Sequence, residues 1–169
     1  MATTDELNKT TFSLRVEQYG PTVCSLLTIA ALIYFSDWVS EKFSTDNWKS
    51  VGLYSAIFGW SAIQTGFAFG VYGFVVGKGD GFIAALRNTK AMARFMDYIK
   101  RTNITGFLLT ITSIPLIITE PKVTESLSFS YVVVSLWFAL FIWSFLSFLR
   151  LAYNFGQIAS IKDKVTHGA

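Results

Sequence analysis

The sequence is short of the residues on which most catalytic and metal sites depend. It has one cysteine, Cys24, and one histidine, His167. A single cysteine excludes an intramolecular disulfide. One of each excludes a zinc site built from the His and Cys of one chain. His167 lies two residues from the last position, a poor place for the base of a nucleophile triad. Charge is also scarce, at 15% Asp, Glu, Lys and Arg, against about 25% in soluble domains. No pair of carboxylates suggests acid–base work, since Asp37 and Glu120 fall at the ends of apolar runs. Asp5 and Glu6 read as charges near a helix start, with Thr3 and Glu6 at capping-box spacing. The expectation is a non-enzymatic chain with no catalytic residue, no cofactor and no metal.

What is abundant is apolar surface. Hydrophobic residues make up 52% of the 169 positions, with sixteen Phe, seven Tyr and five Trp. Crossing about 30 Å of hydrocarbon takes about 20 mostly apolar residues. Four segments fit, at 21–40, 50–77, 103–120 and 129–149, the last running on to 155. Pro21 suits a first helical turn, and Glu120 and Pro121 stop the third segment. No basic stretch precedes the first run and no small-residue cleavage site follows it, so that helix is expected to be retained. Eleven of the fourteen Lys and Arg fall before helix one, between helices two and three, or after helix four. The positive-inside rule then places both termini and the 78–102 connector in the cytoplasm. Trp38, Trp48 and Tyr131 mark the outer boundary. The expected fold is an all-α integral membrane protein, a four-transmembrane-helix bundle forming one domain over 1–169. A bacterial inner membrane is its default location.

Helix two carries an ordered set of glycines. Gly52, Gly59, Gly66 and Gly73 are seven apart, as are Gly70 and Gly77. At helical periodicity all six fall within a sector of roughly 60°. Leu53, Ile57, Trp60, Phe67, Val71 and Val75 lie opposite. Small residues let helices approach closely in lipid, and a seven-residue repeat favours a left-handed crossing. The stripe suits packing on another helix of the same chain, or on a second copy in a homo-oligomer. Segment 73–79 lacks the spacing of a phosphate-binding loop and follows an apolar helix rather than a strand.

The connector reads as a basic amphipathic helix beginning near Gly81, with Asp80 as its cap. Phe82, Leu86, Ala93, Met96 and Ile99 share one face, and Arg87, Lys90, Arg94 and Arg101 a neighbouring flank. Such a helix fits the inner leaflet and its anionic lipid, or a soluble cytoplasmic partner. Nucleic acid is a poor fit, because Tyr98 is the one nearby ring for base stacking.

No ionisable residue lies deep in the four segments, where one would mark a transport path. The deepest strongly polar side chain is Gln64. It suits an interhelical hydrogen bond, or a pore wall shared with the hydroxyls of Thr110, Thr112 and Ser113. Pro115 suggests a kink in helix three. Two function classes follow. One is a self-assembling membrane sensor or anchor that couples the bilayer to a cytoplasmic partner, a layout compatible with stress or anti-phage defence. The other is a small channel, against which stands the lack of a charged selectivity ring.

Overall fold

The computed structural model describes residues 4–45, 50–78, 83, 86–123 and 125–160. Among them are five helices and no strand. They are α1 (Thr4–Tyr34), α2 (Ser36–Thr45), α3 (Ser50–Gly77), α4 (Lys90–Thr119) and α5 (Phe129–Ser160). The expected caps at Thr3 and Asp80 lie outside the described residues.

Two boundaries differ from the sequence pattern. The first apolar run is not one helix over 21–40. It is the second half of α1, then a break at Phe35, then α2 at 71° to the stretch from Gln18. Pro21 is therefore interior to α1 rather than in its first turn. In an unbroken helix the Leu32 carbonyl would accept from the amide of Ser36. Here the Tyr131 hydroxyl donates to it. Asp37 stands in the first turn of α2, where a carboxylate complements the positive helix end.

The second difference is that connector and third apolar segment are largely one element. α4 starts at Lys90 and runs without a break through 103 and through Pro115. Thr89 caps it, extended at φ −92° and ψ 153°, its side chain accepting from the Met92 amide. No Gly or Pro interrupts 90–105, so nothing stops the helix there. It ends at Glu120, left-handed at φ 44°, whose N–H donates to the Leu116 carbonyl. Pro121 follows.

α3 and α4 are antiparallel, and each buries a seam that alternates steps of three and four. On α3 the seam is Tyr54, Ile57, Ser61, Gln64, Ala68, Val71 and Val75. On α4 it is Met92, Phe95, Ile99, Thr102, Gly106, Leu109, Ser113 and Leu116. This mean spacing of 3.5 is that of left-handed coiled coils. α5 closes the third side with Tyr131, Ser135, Trp137, Ser144, Ser147 and Leu151 buried. α3, α4 and α5 thus share the buried centre. α1 is appended to α5, where Ser25 Oγ donates to the Ala139 carbonyl at 2.9 Å.

Among the described residues two helices, α4 and α5, are long and apolar enough to cross a membrane, or three if the bent α1–α2 pair counts as one span. α3 is long enough at 28 residues and carries no charged side chain, but six glycines, Gln64 and its hydroxyls dilute its hydropathy.

Candidate functional site

The interior is layered along the bundle axis. Ala68, Val71, Val75, Ile83, Met92, Phe95, Ile99 and Leu151 form one apolar cluster. Tyr54, Ile57, Leu109, Leu116 and Trp137 form another. Between them lies a belt of hydroxyls around one amide. Gln64 is fully buried, while its neighbour Ile63 is 68% exposed. Gln64 Nε2 donates to Ser144 Oγ at 2.7 Å and to the Thr102 carbonyl at 3.3 Å, so one side chain from α3 ties α4 and α5 together. Thr102 Oγ1 donates to the Ser147 carbonyl at 3.2 Å, and Ser144 Oγ to Thr105 Oγ1 at 3.3 Å. Gln64 Oε1 has no hydrogen-bond partner among the described residues.

Gly106 sits against this belt and escaped notice in the sequence. A β-carbon there would lie 2.6 Å from Thr65 Oγ1 and 3.1 Å from Gln64 Nε2. The approach of α3 to α4 therefore depends on this glycine, whose place in the 92–116 seam is the signal that marks it.

The residues offered as a pore wall do not share a surface. Gln64 faces α4 and α5. Thr110 Oγ1 pairs with Ser61 Oγ at 2.8 Å. Ser113 accepts from Trp137 Nε1 at 2.9 Å and donates to the Leu109 carbonyl at 2.6 Å. Thr112 is exposed and bonds to its own helix at Leu108.

The glycine stripe faces away from the bundle. A β-carbon added at Gly52, Gly59, Gly66, Gly70, Gly73 or Gly77 would meet no atom within 4 Å. Packing on a helix of the same chain is thus not its role in this structure. α3 uses its opposite face for that, although Leu53 and Phe67, expected there, are exposed.

The basic residues divide. Arg87 lies in the turn before α4, so it does not continue the row of Arg94 and Arg101. Its guanidinium donates to the Val76 carbonyl at 3.3 Å and the Lys78 carbonyl at 3.0 Å, closing the end of α3. Cations suit that end because its last carbonyls lack helical partners. Arg87→Ala should accelerate amide exchange in the last turn of α3 and cost below about 1 kcal/mol, since the side chain is exposed. Unchanged protection over 74–78 would show the cap to be idle. Lys90, Arg94 and Arg101 are exposed on α4 in line with Asp97. Tyr98 is covered on one face by Arg150, whose guanidinium carbon is 3.8 Å from the ring centroid. Comparison of the chain with family models, curated proteins and solved structures finds no match.

Proposed function

We propose that the chain is a non-enzymatic integral membrane protein with four spans and both termini in the cytoplasm. It self-assembles through the outward face of α3 and presents the basic inner ends of its helices to a cytoplasmic partner or an anionic leaflet. The observation that carries this reading is an exterior of large apolar side chains around a core that mixes apolar residues with many hydroxyls. Buried positions hold Ser36, Ser40, Ser61, Gln64, Thr102, Thr105, Ser113, Ser135, Ser144 and Ser147, while Leu26, Leu27, Ile63, Phe69, Phe107 and Ile118 are exposed. Water selects the opposite arrangement. Lipid tolerates it, because hydroxyls and small residues hold helices together there. α3 serves as a span in this reading because its polar groups face inward.

Register supports assembly. Ser61 pairs with Thr110, so the antiparallel count places Arg101 level with Gly70. The last two turns of α3 thus lie beside the stretch of α4 that shows Arg94, Asp97, Lys100 and Arg101. Yet α3 exposes Tyr72, Phe74 and Val76 there, between Gly70, Gly73 and Gly77. Acyl chains cover the outer glycines, Gly52 and Gly59, and a second α3 covers the stretch from Gly66 to Gly77. The abundance of Lys and Arg at the inner ends sets the orientation.

Light scattering of the detergent-solubilised chain tests this. A multimer is expected. Gly66→Leu should weaken assembly at least about tenfold, equivalent to about 1.4 kcal/mol, without lowering the protomer's melting temperature. A strict monomer for the unaltered chain would sink the assembly reading. Release from membranes by alkaline carbonate would sink the membrane reading.

A further inference from the structure

The geometry points to a binding site for a phosphate-bearing amphiphile between the first turns of α4 and the last turns of α5. A cavity of about 550 Å³ lies there, within the 300–1,000 Å³ range of small-molecule sites. Its chemistry is two-sided. Met92 and Phe95, both buried, and Ile158 supply an apolar wall. Arg94, Asn154 and Gln157 supply a charge and two amides. Among the described residues no Asp or Glu lines it, so its polar side favours an anion. Tyr98 also lines it, and the Arg150 guanidinium stacked on that ring adds a second cation nearby. Asn154 Nδ2 donates to the Arg150 carbonyl at 2.8 Å, which fixes the amide beside the cavity. Arginine forks match phosphate oxygens in geometry and charge. An apolar wall beside them selects a ligand with a hydrocarbon or aromatic body over a bare ion.

Two sources share this chemistry, a phospholipid headgroup and a soluble phosphate ester. The lipid source rests on the membrane reading above. Tyr98 is less than one helical turn from Arg101, so in a bilayer the cavity opens at headgroup depth.

The test titrates the full chain, in a neutral maltoside detergent, with dihexanoyl phosphatidic acid, dihexanoyl phosphatidylcholine and inorganic phosphate. Saturable binding of phosphatidic acid in preference to phosphatidylcholine is expected. Arg94→Gln should weaken it about tenfold, the scale of one charge-assisted contact. Arg101→Gln lies outside the cavity and should change it less than about threefold. Ile158→Trp, which fills the apolar side and keeps every charge, should also abolish binding. Inorganic phosphate binding as tightly as phosphatidic acid would overturn the amphiphile, because it has no apolar body. Phenyl phosphate, titrated alongside, would assign the soluble source if it matches phosphatidic acid, and a need for the acyl chains would assign the lipid. Equal losses for Arg94→Gln and Arg101→Gln, equal binding of phosphatidylcholine, or unchanged binding by Ile158→Trp would overturn the site. Gly66→Leu should leave this binding intact, so loss of assembly and loss of ligand are read separately.

Discussion

Gly106→Ala should destabilise the protomer by about 1–3 kcal/mol, the usual range for overpacking a filled interior, and Gly106→Leu should prevent correct assembly of α3 against α4. The added β-carbon would stand 2.6 Å from Thr65 Oγ1 and 3.1 Å from Gln64 Nε2. Neither neighbour yields easily. Thr65 is β-branched, with few rotamers in a helix, and its hydroxyl already donates to the Ser61 carbonyl at 2.8 Å. The Gln64 amide is held by Ser144 and Thr102. Relief therefore means separating α3 from α4, which strains the Ser61–Thr110 contact nearby. The same substitution at Gly66 or Gly73 meets open space. There alanine should leave the protomer's melting unchanged or raise it, since glycine in a helix interior costs up to about 1 kcal/mol against alanine. Melting of the three variants in one detergent makes the comparison. A harmless Gly106→Ala beside a damaging Gly66→Ala would reverse the assignment of the two faces.

That contrast shows what the sequence made legible. The apolar runs identify the helices because length and composition are enough to mark them. The glycine period identifies a smooth face but not its neighbour, since lipid and a second subunit leave the same pattern as an internal helix. The internal seam of α3 was harder to read. Tyr54, Ser61, Gln64 and Ala68 mix aromatic, hydroxyl, amide and methyl side chains, so hydrophobic periodicity gives little contrast. Only the matching seam of α4, from Met92 to Leu116, shows that they belong together. The start of α4 at Lys90 has a local cause, since Thr89 is the residue that caps it. Moving the start to Lys90 takes Arg87 off the helix and gives it the end of α3 to close. The bend at Phe35 has no Pro or Gly to announce it. At the bend the Leu32 carbonyl accepts from the hydroxyl of Tyr131, ninety-nine residues away from Leu32.

The two faces of α3 do different work. The seam of Ser61, Gln64 and Ala68 holds the protomer together, while the stripe of Gly59, Gly66 and Gly73 stays open. In the proposed assembly such a helix would join protomers without rebuilding either one.

Gln64 decides between a locked interior and a water-lined one. Gln64→Leu keeps most of the side-chain volume and removes the bonds to Ser144 and Thr102. Hydrogen bonds between helices in lipid contribute about 0.6 kcal/mol on average and about 1.7 at most. Ser144 keeps its contact to Thr105, so the expected loss is about 1 kcal/mol. Gln64→Lys places a cation in the same fully buried position. Its surroundings are Thr102, Thr105 and Ser144, with no carboxylate on the facing seams. A central charge costs about 3 kcal/mol in a membrane helix, so this variant should melt far below Gln64→Leu or fail to assemble. A pore predicts the reverse order. In a water-filled wall the lysine is solvated, Gln64→Lys melts like the unaltered chain, and liposomes carrying it show an altered current. Melting in detergent and conductance in liposomes, measured on the same two variants, therefore separate the lock from the channel.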